Sequence, residues 1–418
     1  MKPSIGRGSL SVAKRILWRT ALAGAATQLT VIAGLIVGDA IKKRGRAKRS
    51  GFPRPGSFES TVAGSTTTVY TYGADLYEAM LTAIRQAERH IFLESYIWKG
   101  DELGQQFKDA LAEAAERGVK VYVSYDGFAN LVVRPDFFRF HPAIQVLRSP
   151  VVRPGILLAN VRATGRDHRK VLVVDDEIGF IGGYNIGSIY ATQWRDTHLK
   201  IVGPSAWELR QAFVSYWNTH RKKQQPRIPE TSAGFWEPRV RSVTNSPASL
   251  VFPIRSVYLD AINRAGQRVF ITTAYFIPDS QILEALIEAA GRGVDVRVLL
   301  PEASNHVVSD WLSRGFYTEL LKAGVTILLY ENAMVHAKSA TIDGQWTTVG
   351  TANIDRLSLT GNYEINMEVY DVNLAKDMER IFEIDSGNSR VLTLEEWERR
   401  HLVARVSETI LAPLRPLL

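Results

Sequence analysis

The sequence predicts an α/β protein made of two copies of one sheet-and-helix unit, preceded by an apolar helix of membrane-spanning length. Three observations predict it. First, the pattern H-x-K-x4-D occurs twice, as His168-Arg-Lys170-Val-Leu-Val-Val-Asp175 and His336-Ala-Lys338-Ser-Ala-Thr-Ile-Asp343. An ungapped shift of 168 residues superposes the two, and also carries Gly182 to Gly350, Asn185 to Asn353 and Asp196 to Glu364. Six chemically matched positions at one offset mark an internal duplication. Second, Ala114-Ala-Glu-Arg-Gly-Val-Lys-Val121 recurs as Ala289-Ala-Gly-Arg-Gly-Val-Asp-Val296. Third, both halves run through helical and strand periodicities in the same order, which implies a sheet covered by helices.

Residues 20–38 contain no charge. As a helix they would run about 28 Å, close to the ~30 Å hydrocarbon core of a bilayer. Arg15 and Arg19 flank one end; Lys42, Lys43, Arg44, Arg46, Lys48 and Arg49 flank the other. Residues 1–50 therefore read as a membrane anchor with a polybasic collar, and the denser collar after the helix places the body in the cytoplasm. The competing readings are a cleaved signal peptide, which the basic block disfavours, and a buried core helix. Gln28 and the threonines weaken the apolar run. Residues 51–65, rich in Pro, Gly, Ser and Thr, read as a linker.

The first repeat spans residues 66–224. Residues 75–88 carry Leu76, Met80 and Ile84 at helical spacing, and 90–98 form a buried strand. A helix at 105–117 stops at Gly118, and 119–125 form the next strand. Residues 153–161 are apolar but hold Pro and Gly; they form a lid or acyl-chain surface, or an ordinary buried loop. The polar, proline-bearing stretch 221–247 reads as the connector between the halves, with the linker bounded at 225–248. The second repeat, 249–418, runs helix 258–265, strand 268–277, helix 280–292 and strand 294–300. Residues 403–418 are apolar with two arginines, and either lie on a membrane or pack on the body.

The formal net charge is +8, with 51 Lys and Arg against 43 Asp and Glu. Residues 1–50 alone hold a net of +10, so the body carries about −2. A nuclease would need a basic groove, so no nucleic-acid partner is expected. The chain has no cysteine, which removes disulfides and thiolate metal sites.

The paired motifs resemble those of the phospholipase D superfamily, and most closely bacterial cardiolipin synthases and related phosphatidyltransferases. The resemblance covers roughly residues 65–418. It rests on the two motifs, on Gly182-Gly-Tyr-Asn-Ile-Gly187 and Trp194-Arg-Asp-Thr-His198, and on Ala274-Tyr-Phe-Ile-Pro278 and Asn362-Tyr-Glu364. It implies a duplicated phospholipase D fold: two mixed β-sheets flanked by helices, with one active site at the pseudo-twofold interface. It also implies a bacterial membrane enzyme acting on phospholipids such as phosphatidylglycerol, without metal or other cofactor.

A phosphodiester resists attack because its charge repels nucleophiles. One neutral imidazole attacks phosphorus and forms a phosphohistidine; the other, protonated, delivers its proton to the departing alcohol. Lys170, Lys338, Asn185 and Asn353 would hold the non-bridging oxygens. The resemblance favours His168 as nucleophile, and has Glu364 serve His168 while Asp196 serves His336. Gly183 and Thr351 are expected beside the phosphate, allowing close backbone approach, or else in a plain turn. Relatives often carry Ser at these positions, so Gly183 leaves a hydroxyl missing in the first half. Asp175 and Asp343 end strands on the face opposite His168 and Lys170, and read as structural. Tyr96 and Tyr275 at strand ends either line the site or belong to the core. His198 reads as a satisfied core histidine. His90, His141, His220, His306 and His401 lack matched partners and receive no role. The leading function is a cardiolipin-forming phosphatidyltransferase. The alternatives are a hydrolytic phospholipase D, a nuclease and a catalytically dead scaffold.

Overall fold

The computed structural model describes residues 7–45, 51–152, 164–234 and 237–417. The proposed lid segment 153–161, and Arg46, Lys48 and Arg49 of the basic collar, lie outside the described residues.

Among the described residues twenty strands follow one another. The first repeat supplies β1 (Phe58–Val62), β2 (Ser65–Tyr70), β3 (His90–Ser95), β4 (Lys120–Asp126), β5 (Gln145–Ser149), β6 (Val171–Val174), β7 (Ile178–Gly182), β8 (Trp194–Arg195) and β9 (His198–Val202). The second supplies β10 (Val240–Asn245), β11 (Arg268–Thr273), β12 (Phe276–Ile277), β13 (Asp295–Pro301), β14 (Thr326–Tyr330), β15 (Met334–Val335), β16 (Lys338–Ile342), β17 (Trp346–Gly350), β18 (Ile354–Asp355), β19 (Glu364–Tyr370) and β20 (Ser389–Leu392). Two eight-stranded sheets result, ordered β1-β2-β9-β7-β6-β3-β4-β5 and β10-β19-β17-β16-β11-β13-β14-β20. Both are mixed: β3, β4 and β5 run parallel, as do β11, β13 and β14, and the other neighbours are antiparallel. Parallel strands need crossovers, and helices Glu102–Glu116 and Ser280–Gly291 supply them. Their N-caps Asp101 and Asp279 accept first-turn amide protons.

Each repeat buries its own outer core. A third core joins the repeats, where Val171, Val173, Leu199 and Ile201 meet Val349, Ile365, Met367 and Val369. Helices Ala206–His220 and Val372–Gly387 pack into it. Buried Arg195 is paired with Asp385 of the other repeat at 2.6 Å. An interface of this apolar area holds the two halves as one body.

Both stretches read as linkers contain edge strands. β1 lies within residues 51–65 and β10 within 225–248. Pro, Gly and Ser signalled loops there, yet β-branched Thr and Val also suit a pleated edge, and pairing with β2 and β19 decides the outcome.

The N-terminal helix runs Arg7–Gly45, with Trp18–Ile41 apolar enough to cross a membrane. One side packs on the body: Val31, Ile32 and Leu35 join Ile277, Leu312 and Leu411. Gln28, the polar residue of the run, donates from Nε2 to the Ile410 carbonyl at 3.2 Å. Trp18, Leu22, Leu29, Val37 and Ile41 remain exposed. A core helix would not leave that apolar face bare. Helix Leu402–Leu411 packs inward through Leu411 and leaves Leu402, Val403 and Val406 exposed.

Candidate active site

The two motifs meet where the repeats meet. Each catalytic-type histidine is placed by backbone pairing to the opposite repeat. β15, just before His336, pairs with β8 (Met334 with Trp194, Val335 with Arg195), and the His336 N–H donates to the Arg195 carbonyl at 2.7 Å. Asp167, just before His168, bridges to Tyr363, and the His168 N–H donates to the Tyr363 carbonyl at 3.0 Å. Lys170, just ahead of β6, and Lys338, the first residue of β16, turn back, each donating from Nζ to its own histidine's carbonyl.

The carboxylate partners cross over as well. His168 Nδ1 lies 2.9 Å from Glu364 Oε1 and 3.0 Å from Oε2. His336 Nδ1 lies 2.7 Å from Asp196 Oδ2. A ring held through Nδ1–H presents Nε2 as its free nitrogen. Burial dominates the electrostatics. It holds both imidazoles well below the usual histidine range, with Lys170 and Lys338 pushing the same way. Burial also lowers Lys170 to about 7 and Lys338 to about 8, and raises Asp196 to about 6 and Glu364 to about 8. Burial thus shifts every one of these groups toward its neutral form, and an anionic ligand would shift them all toward the protonated form.

Over these groups lies a cavity of roughly 540 Å³ lined by His168, His336, Asn185 and Asn353. Tyr96 and Tyr275 line it too, stacking edge-on against His168 and His336 at 4.6 and 6.3 Å. Lys170 and Lys338 sit behind the wall, 3% and 1% exposed.

Gly183 and Thr351 are not at the cavity. Their N–H groups are committed to the Thr197 and Ile365 carbonyls, and the Thr351 hydroxyl donates to Glu364 Oε2 at 2.5 Å. A Cβ on Gly183 would stand 2.1 Å from Asp196 Oδ1. Both positions abut the carboxylates paired with the histidines. Asp175 and Asp343 lie at the far ends of their strands. Asp175 accepts from the N–H groups of Glu88, Arg89 and His90, and Asp343 from those of Gly266, Gln267 and Arg268. His198 is buried, but neither ring nitrogen has a partner among the described residues, and burial lowers it to about 3. The core placement stands; its satisfaction does not.

Sequence reading missed Asp355, Asn305, His306 and Lys99, all on the cavity wall. Asp355 was legible in principle: it sits two residues after Asn353 in an extended segment, so both face one side. His306 follows β13, and nothing local distinguishes it.

A sequence model of the family described as "Cardiolipin synthase, PLD-like domain" matches residues 80–217 and 258–385, one segment in each repeat. The chain belongs to this phospholipase D-like cardiolipin synthase family. It is 34% identical over 369 residues to the major cardiolipin synthase ClsA of Bacillus subtilis, covering 84% of this chain and 75% of that protein. It is 33% identical over 370 residues to a cardiolipin synthase of Clostridium perfringens, covering 84% and 76%. Among solved structures, phosphatidylserine synthase of Haemophilus influenzae shares the fold, with a TM-score of 0.65 at 15% identity over 84% of this chain and 95% of that one. The duplicated phospholipase D fold, with two mixed sheets flanked by helices, is thereby established.

Proposed function

We propose that the chain is a membrane-associated phosphatidyltransferase that joins two phosphatidylglycerol molecules into cardiolipin and releases glycerol. The observation that carries the reading is the crossed pair His168–Glu364 and His336–Asp196 at one cavity. His168 Nε2 attacks phosphorus, the phosphorus–glycerol oxygen bond breaks, and protonated His336 gives its proton to that oxygen. His336 then takes the proton from the hydroxyl of the second lipid, whose oxygen attacks phosphohistidine and frees His168. Glu364 and Asp196 fix the ring tautomers and offset the imidazolium charge. Lys170, Lys338, Asn185 and Asn353 stabilise the phosphoryl oxygens. The exposed apolar face of Trp18–Ile41 supports a membrane anchor, and the basic residues after it support a cytoplasmic body. The near-neutral body argues against nucleic acid as substrate.

The test is thin-layer separation of products from labelled phosphatidylglycerol in mixed micelles containing EDTA, with His168→Ala and His336→Ala alongside. Cardiolipin and free glycerol from the wild type, lost in both variants, are expected. Phosphatidic acid instead would make the protein a hydrolase, and no turnover of any phospholipid would overturn the lipid reading.

A further inference from the structure

The duplication supplies an internal control, because each cavity position in one repeat has a counterpart in the other. Asn185 and Asn353 match at the 168-residue offset, as do Gly187 and Asp355. The matched positions differ chemically. The Asn185 amide oxygen accepts from the Ile97 N–H at 3.1 Å. The Asn353 amide oxygen is buried and has no partner among the described residues. Where the first repeat has Gly187, with the Lys99 stem and Asp101 Oδ2 filling the place a side chain would take, the second has Asp355, 7% exposed, on the cavity wall.

A phosphodiester carries acceptors and a negative charge. The Asn353 amide oxygen can only accept, so it suits a part of the ligand that donates, and Asp355, whose carboxyl burial raises to about 7, stands beside it. Asp355 keeps capacity for this. One carboxylate oxygen accepts the Ser358 N–H at 2.7 Å and the other its hydroxyl at 3.2 Å, and each oxygen can take a further bond. The same side of the cavity holds Ser309 and Asn305, whose amide oxygen already accepts from the Tyr275 hydroxyl at 2.8 Å. Those neutral groups suit hydroxyls, which both donate and accept; an ammonium only donates and would leave their N–H and O–H groups unmatched. The first-repeat wall mixes apolar Ile97, Ile189 and Trp194 with Lys99 and Asn185.

We infer that the second-repeat side of the cavity is a polyol subsite, in which Asp355 and Asn353 accept hydrogen bonds from the hydroxyls of a glycerol-type headgroup. This rests on the phosphatidyltransferase reading and adds a direction to it. The headgroup lies on the His336 side, where the leaving oxygen needs its proton.

The full-length protein in detergent is titrated calorimetrically with glycerol 3-phosphate, ethyl phosphate and phosphoethanolamine, as wild type, Asp355→Asn and Asp355→Ser. Both replacements can cap helix Arg356–Thr360, so the fold is retained, and a melting curve checks it. The wild type should bind glycerol 3-phosphate at least about tenfold more tightly than ethyl phosphate, the worth of a hydrogen bond to a charged group, and the variants should narrow that ratio about tenfold, towards unity. In turnover, the kcat/KM ratio of phosphatidylglycerol to phosphatidylethanol should fall in parallel. Wild type that does not discriminate, or variants that weaken both ligands equally, would overturn the subsite; preference for phosphoethanolamine would reassign it to ammonium headgroups and overturn the polyol form. The binding ratio does not depend on product identity, so absence of cardiolipin in the product assay would remove the proposed function while leaving this result readable.

Discussion

Thr351 and Gly183 occupy equivalent positions and solve one problem in two ways. Glu364 is a methylene longer than Asp196 and is steadied by the Thr351 hydroxyl; the shorter Asp196 sits where a side chain at 183 would be. The buried lysines carry the sharper consequence. Burial, and for Lys170 also its neighbour Lys338, holds them at about 7 and about 8 in the empty site. A bound phosphodiester adds negative charge and raises both values, as it does for His168, His336, Asp196 and Glu364. Binding near pH 8 must therefore take up protons, and affinity must fall as pH climbs from about 7 to 9, by up to about tenfold per unit for each lysine that titrates. Calorimetry of glycerol 3-phosphate binding in buffers of different ionisation enthalpy reads the uptake directly. Proton release, or none, would show that the lysines are already charged in the empty site.

At the level of strands, the aspartate that closes each motif is a tie. Asp175 and Asp343 stand at φ of +55° and +54°, a left-handed conformation that Asp tolerates better than most residues. Each carboxylate gathers three backbone N–H groups at the start of β3 or β11, and so fixes the register of the strand whose other end carries histidine and lysine. Partial burial would raise their titration, but the three donors outweigh it and lower both. With the folded value below the unfolded one, the stabilisation is present above about pH 4 and is lost as pH falls further. Asp175→Ala and Asp343→Ala should each cost about 2 kcal/mol at pH 7, discounted for partial exposure, and the difference from wild type should shrink in acid. Urea unfolding at pH 7 and pH 3 measures both. Unchanged midpoints at pH 7 would mean the ties contribute nothing.

The whole molecule is organised by exchange. Each repeat orients the other's histidine through a strand pair or bridge and a carboxylate, so neither repeat alone holds a complete site. The N-terminal helix rests beside this centre: Ile277 packs with Leu411 and the helix on one side and lines the cavity on the other. A lipid headgroup in the cavity is thus one residue layer from an apolar surface. Because the chain has no cysteine, a single introduced thiol reports unambiguously on orientation. Lys223→Cys, at an exposed site on the body, should react with a membrane-impermeant maleimide only after cells are permeabilised. Labelling of intact cells would place the body outside.

The sequence by itself determined the duplication, the chemical set of histidines, lysines, asparagines and carboxylates, and the opening helices and strands of each half, because repeats and periodicities are local properties of a chain. It misjudged the edge strands β1 and β10, where composition pointed to loops and pairing with a distant strand made sheet. The resemblance named the crossed carboxylates, but no spacing within the chain could, since Asp196 and His336 are 140 residues apart and His168 and Glu364 are 196 apart. Only the tertiary structure decided that Gly183 and Thr351 stand behind the histidines, that Asp355 and His306 reach the cavity, and that Gln28 finds a carbonyl 382 residues away. Those outcomes are set by packing between elements, where a side chain's partner depends on which surfaces meet rather than on its neighbours in sequence.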